Sequence, residues 1–193
     1  SGDIGEKKKV SFNTTFRENQ AKYPTYLTSW IKDYDVVPGQ GKVRSFKGTA
    51  FDYANSSGYV SYSPNSYFNF QLGHDKNFIG EGYRSMILSD NSFFYPFLKI
   101  NTSVWRIRYM NLYTQFTDAI NGADSIIGVT RKWGSFHYLS FDAWDWAQIG
   151  LFEGIIWPNN DSTLTRGFDP NYLNPIIFFR PVEFGLGSPD NAL

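Results

Sequence analysis

Residues 9–17 read KVSFNTTFR, and the alternation inside this stretch decides the fold class. Val10, Phe12, Thr14 and Phe16 fall on one side of an extended chain, with Lys9, Ser11, Asn13, Thr15 and Arg17 on the other. Successive side chains of a strand point to opposite faces, so the segment is predicted as a strand with one apolar face. The same period of two recurs downstream. Val60 and Tyr62 oppose Ser61 and Ser63, SPN at 63–65 supplies turn chemistry, and Phe68, Phe70 and Leu72 then alternate with Tyr67, Asn69 and Gln71. That pattern reads as a hairpin, with ANSSG at 54–58 as a further turn ahead of it.

Working outward, VWRIRYMNLYTQF (104–116) places Trp105, Ile107, Tyr109 and Tyr113 on one face and Arg106 and Arg108 on the other. SFHYLSFDAWDWAQIGLFEGIIWP (135–158) reads as two strands joined by a turn between Asp142 and Asp145. NPIIFFRPVEF (174–184) gives a last alternating run, in which Pro181 belongs at an edge, an end or a bulge. Only residues 19–48 depart from the pattern, with TYLTSWIKDY (25–34) as a short helix and VVPGQGK (36–42) as a loop. The expectation is one all-β antiparallel domain over 1–193, with roughly eight to ten strands of about ten residues or fewer, arranged as a barrel or sandwich.

Composition narrows the function. Eighteen basic residues balance eighteen acidic ones, so the excess of Lys and Arg that nucleic-acid binding rests on is missing. With no cysteine, disulfides, thiolate metal sites and cysteine nucleophiles are excluded. His74 and His137 are the only histidines, too few for a multi-histidine metal centre. No stretch approaches the roughly 20 apolar residues of a membrane helix. The chain is nevertheless rich in rings, with 13 Tyr, 18 Phe and 6 Trp. Rings that are half wet and half apolar suit sugar-stacking surfaces and the aromatic girdles of outer-membrane barrels.

The local motifs carry little chemistry by themselves. Gly80-Glu81-Gly82 lacks the third glycine of a dinucleotide fingerprint and the Gly-Lys-Ser/Thr end of a nucleotide loop, and reads as a sharp turn. Asp142, Asp145, Glu153 and Glu183 are the carboxylates available for glycoside hydrolysis. The first two read as turn formers and the others as wetted groups inside a barrel or groove. Arg106 and Arg108 would line such a lumen, paired with a carboxylate such as Glu153 or contacting acidic sugars. Phe93, Phe94, Tyr95 and Phe97 read as part of an interfacial aromatic belt.

FNFQLGHDKNFIGEGYRSMILSDNSFFYPFLKI (68–100) and YLNPIIFFRPVEFGLGSPDNAL (172–193) resemble the outer-membrane β-barrel family of the capsule-assembly protein Wzi and the gliding-motility protein RemB. The motifs are Gly-x-Gly-x-Arg-Ser, Leu-Ser-Asp-Asn, an aromatic-Pro-aromatic run and Gly-Ser-Pro-Asp-Asn. SFHYLS and GLFEGIIW extend the similarity over most of 44–193, whereas FDAWDWAQIG departs from it. The resemblance implies an antiparallel transmembrane β-barrel in the cell outer membrane, of which this chain is expected to be a part or to close through another copy or chain. It also implies a non-enzymatic role in surface polysaccharide (capsule) assembly or attachment, or in gliding motility, with no cofactor. The partners it implies are surface polysaccharide, outer-membrane lipid and other outer-membrane or motility proteins. Arg84 and Asp90 in the motif, with Arg106 and Arg108, are the candidate carbohydrate-binding residues. The alternative reading is a soluble all-β carbohydrate-binding module or glycosidase-like domain.

Overall fold

A computed structural model describes residues 9–80, 82–118, 130–159, 167–176 and 191–192. Among these residues the fold is an antiparallel β-sheet with one α-helix. In chain order the elements are β1 (Lys9–Ala21), α1 (Thr25–Tyr34), β2 (Val36–Val37), β3 (Gly41–Lys42), β4 (Arg44–Phe46), β5 (Ala50–Ser63) and β6 (Phe68–Asp75). They continue with β7 (Tyr95–Val104), β8 (Ile107–Asp118), β9 (Thr130–Trp144), β10 (Ala147–Pro158), a 3-10 turn (Pro170–Leu173) and β11 (Asn191–Ala192). The main sheet runs β1-β5-β6-β7-β8-β9-β10-β11, with β4 also on β5, while β2 and β3 form a separate hairpin. Among the described residues the main sheet has nine strands, the expected number, but β1, β5, β8, β9 and β10 run 12–15 residues, longer than expected, and no closed barrel forms.

From β5 to β10 the sheet is a meander, and its connections divide by end. The turns 64–67, 105–106 and 145–146 are tight, and all lie at one end. The connections 22–49, 76–94 and 159–190 are long, and all leave from the other. Three turns differ from the sequence expectation, one of them only by a shift: the 135–158 hairpin turns at 145–146, with Asp142 still inside β9 opposite Gln148. ANSSG is not a turn, because every one of its residues pairs with β1, from Glu18↔Ala54 to Thr14↔Gly58. Conversely the run 104–116 is interrupted, since Val104 pairs with Ile107 across a two-residue turn. Trp105 takes a positive φ of 56° there, a conformation usually reserved for Asn or Gly, so no residue at that point signals a turn.

Register sorts the side chains onto two faces. One, here the inner face, carries Asn13, Tyr59, Gly73, Phe97, Thr114 and their pairing partners. Ile79 of the 76–94 connection packs there against Tyr95, Phe97, Leu112 and Phe136. Tyr95 and Phe97 therefore face inward, 2% and 4% exposed, and do not form the outward belt expected of them. Gly73 makes this packing possible: a Cβ at that position would lie 2.4 Å from the Gly58 carbonyl oxygen and 2.5 Å from Tyr59 Cβ.

α1 caps the same face at the end with the long connections. Leu27, Trp30, Ile31 and Tyr34 recur at helical spacing, and Ile31 packs with Val37, Val43 and Phe51, flanked by Tyr23 and Tyr53. Asp35 ends the helix in the left-handed region (φ 52°), its N–H donating to the Ile31 carbonyl at 2.7 Å. VVPGQGK is thus ordered as the β2–β3 hairpin rather than as plain loop.

The outer face is the opposite surface. Val10 (67% exposed), Phe12 (80%), Val60 (53%) and Leu72 (66%) lie side by side across β1, β5 and β6. Val104, Ile107, Ile149 and Leu151 continue the same exposed surface onto β7, β8 and β10. Polar groups on this face of β8 and β9, including Asn111, Ser135 and His137, are buried. The segment 167–176 helps bury them. Ser135 Oγ donates to the Tyr172 carbonyl at 2.9 Å, and the Tyr109 and Tyr113 hydroxyls donate to the carbonyls of Pro175 at 2.6 Å and Leu173 at 3.1 Å.

Candidate functional site: a polar cleft on the inner face

The inner face opens into a cleft of about 620 Å³ at the end with the long connections, within the range of small-molecule sites. One wall is β1, whose every second residue enters it: Asn13, Thr15, Arg17 and Asn19. Tyr53, Asn55 and Ser57 of β5 form the floor. The far wall comes from Asp75 at the end of β6 and from Lys76, Phe78, Asp90 and Phe94 of the following connection, with Gln40 from the β2–β3 turn. The strand period alone puts seven of these side chains on one surface.

Several contacts hold the walls in place. Lys76 Nζ donates to the Gly39 carbonyl at 2.8 Å, tying the 76–94 connection to the β2–β3 turn, and lies 4.8 Å from the centre of the Phe94 ring. The Asn55 and Gln40 side-chain amides meet at 2.7 Å. Asp75 Oδ1 accepts the Lys76 backbone N–H at 2.8 Å. Burial pulls the Lys76 pKa below that of a free lysine; Arg17 acts in the same sense, and Asp90 and Asp75 oppose it. The Tyr23 hydroxyl donates to that of Tyr53 at 3.1 Å, and burial, with this bond, pushes its pKa up to about 12.

Ser85 organises the connection that carries Asp90. Its hydroxyl donates to the Ile79 carbonyl and accepts the N–H groups of Ile87 at 3.0 Å and Leu88 at 3.2 Å. Gly80 sits at φ +149°, where a Cβ would approach Ser85 Oγ to 2.8 Å. The Gly-x-Gly-x-Arg-Ser motif thus builds a turn around one serine hydroxyl, as the sequence suggests. Glu81 lies outside the described residues.

Of the four residues singled out in the sequence, only Asp90 lines the cleft. Arg84 is exposed on the same connection, 5.9 Å from the Tyr83 ring centre. Arg106 and Arg108 are at the tight-turn end, away from the cleft. Arg106 lies in the turn itself and pairs with Asp145 at 3.3 Å, while Arg108 is on the inner face and pairs with Asp142 at 2.8 Å. Glu153, expected as a lumen partner, is on the outer face opposite His137, and Glu183 lies outside the described residues. The cleft residues of β1 were visible as its polar side, but nothing local distinguished them from a solvated face.

No family model matches the chain, and the comparisons with characterised proteins and with solved structures gave no match.

Proposed function

We propose that this chain is a non-enzymatic section of an outer-membrane β-barrel that holds surface polysaccharide in its inner-face cleft, in capsule assembly or attachment or in gliding motility. The observation that carries the reading is the sorting of side chains on β1, β5 and β6, exposed apolar ones on the outer face and polar ones on the inner. Phe12, Val60, Leu72 and Leu151 stand more than 45% exposed on the outer face, while Asn13, Ser61, Gln71 and Asn101 face inward on the same strands or their neighbours. A soluble protein gains nothing from so broad an exposed apolar surface. In lipid, an apolar exterior and a polar interior are what a barrel wall requires.

Two further features support it. Tight turns at one end and long connections at the other are the usual division of outer-membrane barrels. Trp105, Trp144 and Trp146 are exposed at the tight-turn end, where a headgroup layer would hold their rings. A soluble carbohydrate-binding module is the second reading, favoured by the outer edge of β1, which has no partner strand among the described residues. Fractionation separates the two. The barrel reading expects the chain, exported in a Gram-negative host, to sediment with the outer membrane and to need detergent for extraction. A stable monomer in detergent-free buffer would refute it.

A further inference from the structure

We infer that the cleft selects an uncharged, hydroxyl-rich glycan rather than an acidic one; this rests on the reading of the cleft as a polysaccharide site. Its charged residues among those described, Arg17, Lys76, Asp75 and Asp90, sum to zero. Lys76 spends one N–H on the Gly39 carbonyl but keeps its charge, so two cations stand against two carboxylates, and Arg17 is the one whose donors are all uncommitted among the described residues. Neither Arg17 nor Asp90 forms an ion pair with a described residue, in contrast to Arg106 and Arg108, which are both paired at the other end of the sheet. A guanidinium and a carboxylate held apart across one cleft present donors and acceptors together. A sugar hydroxyl satisfies either, since it donates to the carboxylate and accepts from the guanidinium.

The rest of the lining has the same character. Asn13 and Asn19 present amides and Thr15 and Ser57 hydroxyls, without side-chain hydrogen bonds to described residues. Phe78, 39% exposed, supplies a ring for the apolar face of a pyranose unit, whereas the Phe94 ring is already met by Lys76 and His74. A uronate carboxylate would gain Arg17 and Lys76 but would also be brought near Asp75 and Asp90. With those charges balanced, the site offers a carboxylate no net attraction to offset the hydration it gives up on binding.

The test uses the full chain in detergent with matched probes: alginate and polygalacturonate oligosaccharides, each beside its carboxyl-reduced neutral counterpart, with neutral glucan, galactan and mannan oligosaccharides. Calorimetric titration is expected to show neutral members binding about tenfold or more tighter than their acidic parents. Raising NaCl from about 50 to about 500 mM should change the neutral affinities less than about twofold. Arg17→Gln and Asp90→Asn, both at exposed positions, should each weaken neutral binding about tenfold while leaving the unfolding midpoint unchanged. Tighter binding of the acidic members, with steep salt dependence lost in Arg17→Gln, overturns the inference and leaves the polysaccharide reading standing. If no member of the set binds, the polysaccharide reading itself fails and the inference falls with it.

Discussion

Leu72→Arg separates a lipid-facing surface from a wetted one by its energetic cost. Leu72 is 66% exposed on the outer face of β6, between Val60 of β5 and Leu98 of β7. If water covered this face, an arginine there would have room and hydration, and the change would cost within about 0.5 kcal/mol. If hydrocarbon covers it, the cost rises to about 2–4 kcal/mol near the bilayer midplane. That lowers the folding equilibrium constant roughly thirtyfold to several-hundredfold. The assay is urea unfolding of protein reconstituted in phosphatidylcholine vesicles, followed by the heat-sensitive gel mobility of folded barrels. Ser11→Arg is the control, because Ser11 is also exposed but on the inner face, paired with Ser61. The lipid-facing account predicts a large loss for Leu72→Arg and a small one for Ser11→Arg. Equal and small losses would refute it.

Other substitutions test the packing and the site. Gly73→Ala forces a methyl against the Gly58 carbonyl and Tyr59 Cβ, and should cost about 1–3 kcal/mol as overpacking, measured by the same unfolding assay. Ser85→Ala removes the hydroxyl shared by Ile79, Ile87 and Leu88. It should speed amide exchange at Ile79, whose N–H donates to the Leu88 carbonyl at 2.9 Å, and weaken glycan binding through Asp90. Arg108→Met breaks an ion pair whose partners are 62% and 33% exposed, so the expected loss is at most about 1 kcal/mol, vanishing in high salt. Tyr23 has its pKa raised in the folded state, so its contribution is fully present below pH about 10, where the unfolded residue titrates, and is lost as pH rises to about 12. Tyr23→Phe should flatten that alkaline decline in the unfolding midpoint.

Much of the sheet is legible residue by residue. Val10, Phe12 and Phe16 declare β1 by alternation, and the register places all three on the outer face. Leu27, Trp30, Ile31 and Tyr34 declare α1 by their spacing, and Ile31 is fully buried as such a pattern requires. The 135–158 hairpin is also readable, although its turn falls at Asp145-Trp146 and Asp142, expected in the turn, lies within β9 opposite Gln148. What fails is set by tertiary contacts. ANSSG has strong turn chemistry, yet thirteen consecutive pairs with β1 hold it extended, an instance of pairing overriding propensity. Trp105-Arg106 has weak turn chemistry, yet the flanking strands force a turn there.

Facing direction is harder to read than alternation when both sides of a strand are apolar. In YPFLKI, Tyr95 and Phe97 alternate with Pro96, Leu98 and Ile100, and either set would serve as the greasy face. The 76–94 connection decides it, by laying Ile79 on Tyr95 and Phe97. The cleft is less legible still. Asn13, Tyr53, Asp75 and Asp90 are distant in sequence, and only the pairing of β1 with β5 and the return of the Ser85-centred turn bring them together. Arg106 and Arg108 drew notice because they are adjacent in the chain, but their carboxylate partners, Asp145 and Asp142, come from the neighbouring hairpin.

The chain has no cysteine, so single-cysteine spin labels report unambiguously on which face meets lipid. Labels at Phe12, Leu72 and Leu151 sample the outer face, and labels at Ser11, Asn13 and Gln71 the inner face. In protein reconstituted into vesicles, accessibility to dissolved oxygen, which concentrates in hydrocarbon, is compared with accessibility to a water-soluble nickel chelate. A lipid-facing outer surface makes the outer-face labels favour oxygen and the inner-face labels favour the chelate, alternating along β1 and β6. Chelate-dominated relaxation at all six positions would contradict it.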